Sequence, residues 1–155
     1  MSQAPAIGPV IFVRQFRLWA AARAKGEHPL PHMQSAVSLF ETAPELSVAC
    51  ASLFDLVEAQ LERPLTPECC CSPAFSRDER ALLGILRHAP EAGQPLTSSA
   101  VPHGLPGAIC WAAFAIRRAL AETFADQFGT PEPGAGQPSA CPFSQETRPI
   151  LVAVA

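Results

Sequence analysis

Three consecutive thiols, Cys69-Cys70-Cys71, stand between Pro67-Glu68 and Ser72-Pro73, just ahead of Ser76-Arg77-Asp78-Glu79. No other stretch of the chain concentrates as much potential chemistry. Cysteine-rich sites select zinc, copper(I) or iron–sulfur clusters, because the thiolate is a soft ligand. Consecutive side chains on an extended segment point to opposite sides, so at most two of the three thiols meet one ion unless the backbone turns tightly. The C-x₂-C knuckle of structural zinc sites is absent. Further ligands would come from Cys50, Cys110 or Cys141, or from His88 or His103. Cys50 and Cys110 fall on apolar stripes, where a free cysteine acts as a small hydrophobe. A redox role has its own support. The cluster precedes a helix start and has Arg77 nearby, and both features lower a thiol pKa. The C-x-x-C pattern of dithiol oxidoreductases is missing. The reading that follows is a structural cluster packed in a tight connector, with no cofactor. The alternative is a site for zinc or another thiophilic metal, with Cys69, Cys70, Cys71, Cys50, Cys110 and His88 as candidate ligands.

The other polar residues carry less. His28 and His32 are four apart, but Pro29 and Pro31 between them oppose the helical spacing of a metal pair. His88 suits a last helical turn, where a cation-capable ring meets the negative end of the dipole. Asp78 and Glu79 read as helix-start residues. No G-x-S-x-G, P-loop, dinucleotide fingerprint or H-E-x-x-H occurs. Six cysteines without an export signal point to reduced thiols in the cytoplasm.

Positioning such residues requires a core, and the composition supplies one. Of 155 residues 48% are hydrophobic and only 16% charged, which leaves little charge for the surface and favours burial against a second copy or another protein. The net charge of −3 argues against a nucleic-acid surface. All 14 acidic residues lie beyond residue 25, whereas Arg14, Arg17, Arg23 and Lys25 precede it. This asymmetry describes a basic first helix docked on an acidic body, with membrane contact through that helix as the lesser alternative. No window is long and apolar enough to span a membrane.

Periodicity predicts five helices. The first runs over about 10–25, with Phe12, Phe16 and Trp19 inward, Arg14 and Arg17 outward, and Gly26 as its stop. Residues 27–31 read as a connector and 32–42 as a short helix. Thr42 caps the third helix, over about 44–62, whose stripe is Leu46, Ala49, Cys50, Leu53, Val57 and Leu61, with Asp55 and Glu58 opposite. Ser76 and Glu79 make a capping box for the fourth helix, ending near Ala89, with Leu82, Ile85 and Leu86 inward. The fifth runs over about 106–128 along Ile109, Ala113, Ile116, Leu120 and Phe124.

Residues 69–79, Cys-Cys-Cys-Ser-Pro-Ala-Phe-Ser-Arg-Asp-Glu, with Leu82-Leu83 after them, resemble a small family of uncharacterised bacterial helical proteins. In that family a cysteine cluster precedes a Ser/Thr-x-Asp-Glu helix start and a Leu-Leu pair. The likeness covers about residues 35–125 and implies a bacterial cytosolic protein without a known activity.

The expectation is therefore an all-α protein with a single domain at 1–128. Its helices form a bundle-like array, the last four as the core with the first docked on them. The Pro/Gly-rich tail at 129–155 ends in the apolar Ile150–Ala155 and packs on the domain or on a neighbour. The expected function is non-enzymatic, through self-association or binding of another protein. A thiol-based metal-binding or redox-responsive role centred on Cys69–Cys71 is the alternative, and a helical ligand-binding protein or enzyme with an apolar pocket is the third.

Overall fold

The computed structural model describes residues 7–38, 44–89 and 107–123, and over these the protein is all-helical. Five helices pack together: α1 (Ile7–Ala24), α2 (Pro29–Val37), α3 (Pro44–Leu61), α4 (Arg77–His88) and α5 (Gly107–Thr123). α1 packs on α2, α3 and α4, while α5 packs on α3 and α4. The expectations for the Thr42 cap, Phe124 and the 129–155 tail lie outside the described residues, as do His103 and Cys141.

α1 belongs to the core rather than docking on it from outside. Phe12, Phe16 and Trp19 are enclosed and meet Phe54 of α3 at ring-centroid distances of 5.5, 5.1 and 5.3 Å. Gln15 is also fully buried. Its Nε2 donates to the Met33 carbonyl (3.0 Å) and its Oε1 accepts from Ser47 Oγ (3.1 Å), so one amide ties α1 to both α2 and α3. α1 ends where Gly26 takes a φ of +72°. There Gly26 N–H donates to the Arg23 carbonyl and Glu27 N–H to the Ala22 carbonyl, the paired bonds of a Schellman stop.

α2 starts three residues earlier than expected. Pro29 occupies its first position and Pro31 its third, where the missing N–H groups have no helical partner in any case. Of the α3 stripe, Leu46, Cys50 and Leu53 are fully enclosed and Val57 is buried, Ala49 and Leu61 are partly buried, and Phe54 beside the stripe is fully enclosed as well. On α5, Ile109, Ala113, Ile116 and Leu120 are buried, and so is Arg117, whose guanidinium donates to the Ala89 carbonyl (2.7 Å) at the end of α4. Among the described residues no helix is long and apolar enough to cross a membrane.

The acidic body holds the basic helix as its charge pattern implies. Arg23 reaches Asp55 (3.2 Å) and Glu58 (2.6 Å) on α3 and lies 4.5 Å over the Trp19 ring. Glu58 is consequently drawn inward from the exposed face assigned to it. Its other carboxylate oxygen accepts from Leu65 N–H (2.8 Å), which turns the chain back after α3.

Candidate functional site

The connector between α3 and α4 carries the thiols, and a set of ionic contacts fixes its path. Ser76 caps α4 in full: its Oγ accepts from Glu79 N–H (3.0 Å), and Glu79 Oε2 accepts from Ser76 N–H (2.8 Å). Ser76 Oγ also donates to the Thr66 carbonyl (2.7 Å). Asp78, beside it, takes both arms of Arg63 (2.8 Å each) and the Thr66 N–H (2.8 Å). Burial alone would raise the Asp78 carboxyl. Arg63 and the Thr66 N–H outweigh it and hold the group below the ordinary aspartate value.

Arg17 does not face solvent as its place on α1 suggests; it is the main support of the thiol segment. Nε and Nη2 grip the two oxygens of Glu79 at 2.7 and 3.0 Å, and the paired side chains are 10% and 0% exposed. The same guanidinium donates to the carbonyls of Cys69 (3.0 Å), Ser72 (2.8 Å) and Ala74 (2.8 Å). A guanidinium offers five N–H donors in a rigid fork, so one side chain serves all these acceptors. Burial would push the Glu79 carboxyl up, but Arg17 and the N–H groups of Ser76 and Glu68 hold it low. Hydrogen bonding to Glu79 in turn raises the Arg17 pKa.

Between the carbonyls that Arg17 holds, the backbone turns tightly, with Ser72 N–H donating to the Cys69 carbonyl at 2.9 Å. This turn overturns the expectation that three adjacent cysteines cannot face one ion. Their sulfurs all lie within 4.8 Å of one another, and Cys69 Sγ is 3.3 Å from Cys71 Sγ. All three residues are exposed. Among the described residues no other group of three or more His, Cys, Asp or Glu side chains converges in this way. Cys50 and Cys110 are not in the cluster. Each is buried on its helix, and burial pushes both thiols up. His88 is an exposed residue of the last turn of α4 and is likewise not part of the group.

The three sulfurs are not equivalent. The Cys69 thiol is drawn below its ordinary value, first by the backbone N–H of Cys71 and then by the Cys71 and Cys70 thiols, all of which favour a thiolate there. Cys71 is pushed up, because its hydrogen bond to Cys69 and the charge beside it both disfavour ionising it second. A sulfur–metal bond of about 2.3 Å places sulfurs about 3.8–4.0 Å apart in tetrahedral or trigonal geometry, within the range this turn presents.

Beside the thiols lies an apolar groove of about 590 Å³. α1 contributes Val10, Val13, Leu18 and Ala21 to it, the connector contributes Phe75, and Cys70 and Cys71 line it as well.

No family model, curated protein or solved structure matches the chain.

The sequence signal for the cluster was direct, but its two supports were missed. Arg17 carried a trace of its role, as a cation in a helix lacking acids, ahead of a body rich in them. The Arg63–Asp78 pair had no such trace beyond the nearness of the two residues in sequence.

Proposed function

We propose that this is a non-enzymatic helical protein whose work is to hold a soft, thiophilic metal ion at Cys69, Cys70 and Cys71, with copper(I) or zinc as the ions its donors suit best. One observation carries the reading: three exposed sulfurs within 4.8 Å of one another on a turn whose carbonyls are held by a buried ion pair. Thiolates select such ions over magnesium or calcium, which take oxygen ligands. Free thiols of this kind fit a reducing compartment such as the cytoplasm.

Anaerobic titration of the reduced protein with copper(I) against a coloured chelator, and with zinc against a fluorescent one, tests the proposal. The expected result is one ion per chain, lost when all three cysteines become serine while the helical circular dichroism is unchanged. No binding of either ion, or binding that survives the triple substitution, would refute it.

A second reading, self-association, is favoured at a different place. Trp111 on α5 is 61% exposed and Val48 on α3 is 47% exposed. Val48, Ala49 and Ala115 line a depression between these helices, and Ala115 follows Trp111 by one helical turn. Glu45 and Arg118 line the depression too, and large exposed aromatics are frequent interface anchors. A second copy of the chain is the proposed occupant. Light scattering should show a Trp111→Ser variant of lower mass than the parent at the same concentration; monomers in both samples would end this reading.

A further inference from the structure

The groove beside the thiol turn has a composition that a bare ion does not use. Val10, 44% exposed, sits on its wall with Leu18, Ala21 and Phe75. Arg14, which is exposed, and Arg17 also border the groove; the Arg17 guanidinium is committed to Glu79 and three carbonyls. Cys70 and Cys71 are among the residues that line the groove and Cys69 is not. The volume, about 590 Å³, lies within the range of small-molecule sites.

Two thiols at the edge of an apolar groove match a thiophilic centre that has two bonds to give to sulfur and carries one organic group. We propose that the site takes a trivalent organoarsenical, with arsenic bonded to Cys70 and Cys71 and the organic group lying against Val10, Leu18 and Phe75. This rests on the thiol-site reading above and names a ligand class for it. In the reaction R–As(OH)₂ meets two thiols. Two As–S bonds form and two As–O bonds break, and each thiol proton leaves with a hydroxyl as water. Neither arsenic nor sulfur changes oxidation state. Inorganic arsenite has three such bonds to give and no organic group, so it draws on all three thiols and gains nothing from the groove.

The test titrates the full-length reduced protein with arsenite, methylarsonous acid and phenylarsine oxide, each against dithiothreitol as competing dithiol, with intact mass as the readout. Burying an added methylene is worth about fourfold in affinity, so the protein should favour phenyl over methyl by about tenfold or more beyond the ratio shown by dithiothreitol. Val10→Asn and Ala21→Gln, both at exposed helical positions, should each reduce that preference by about threefold or more and leave arsenite binding unchanged. Arsenite binding with a phenyl-to-methyl ratio equal to that of dithiothreitol would overturn the organoarsenical inference and leave the thiol site standing. A phenyl preference that survives both substitutions would place the organic group elsewhere and overturn it equally. Binding of neither arsenite nor phenylarsine oxide would overturn this inference and the thiol-site reading together.

Discussion

Replacing Arg17 by leucine removes the support behind the thiols while keeping an apolar side chain on α1. The Glu79 carboxylate, fully enclosed, would then keep only the N–H groups of Ser76 and Glu68 as partners. Removing one member of a buried ion pair costs about 3–5 kcal/mol, because the remaining charge is left without compensation. The carbonyls of Cys69, Ser72 and Ala74 also lose donors; the Cys69 and Ala74 bonds are exposed and water replaces them cheaply, while the part-buried Ser72 bond adds about 1 kcal/mol at most. The total stays near that range. For a chain losing about 2 kcal/mol per molar urea, the unfolding midpoint followed by circular dichroism falls by about 2 M. The effect depends on pH in a definite direction. In the parent protein the Glu79 pKa lies below its ordinary 4.5. Its contribution is fully present above pH 4.5 and is lost as pH falls through the lower folded value. In the variant, burial without the guanidinium raises the pKa, so the penalty is full above that raised value, fades as pH falls from it toward the ordinary 4.5, and is absent below. The stability gap between the two proteins should shrink from pH 7 to pH 4. A loss under about 1 kcal/mol at pH 7, or a gap that ignores pH, would refute the role given to Arg17.

Leu53→Ala, at a fully enclosed position on α3, should cost about 2–5 kcal/mol in the same urea experiment; under about 1 kcal/mol would mean its face is not the core. Ser76→Ala removes the α4 cap and the bond to the Thr66 carbonyl, and should cost about 1–2 kcal/mol; an unchanged midpoint would show the cap to be redundant. Iodoacetamide at limiting concentration near pH 7.5, followed by peptide mass spectrometry, should label Cys69 before Cys71. Equal rates or the reverse order would contradict a Cys69 thiol drawn below its ordinary value and a Cys71 thiol pushed above it. Copper(I) affinity of Arg17→Leu should fall by about 10–100-fold, as when a group that orients metal ligands is lost; an unchanged affinity would mean the turn holds its shape without Arg17.

The helices were legible because each depends on local pattern: the 3.6-residue stripe of α3, the Ser76–Glu79 box and the Gly26 stop all lie within a few residues of what they control. α2 was misplaced because prolines read as breakers, whereas in a first turn they break nothing. The site was half legible. Cysteine adjacency could be read directly, and periodicity placed Cys50 and Cys110 in the core. Alternation on an extended strand then led to the wrong geometry, because the turn that defeats it depends on Arg17, 52 residues upstream of Cys69. A helical wheel assigns a long cationic side chain to solvent and cannot show that its tip reaches across to the start of another helix. Gln15 and Arg117 were missed for the same reason.

The supports of the thiol turn are all protein groups, and among the described residues every buried side-chain polar atom has a partner. In metal-dependent small domains the ion supplies the free energy of folding, so removing it unfolds the chain. Here the shape of the thiol turn is a by-product of α1 meeting α4, set by Arg17 and Glu79. An ion held by three outward-facing sulfurs on such a frame can come and go without the fold dissolving and re-forming each time. On the proposed metal-binding reading, its rate of exchange would then be governed by competing thiols in solution rather than by the unfolding rate of the protein.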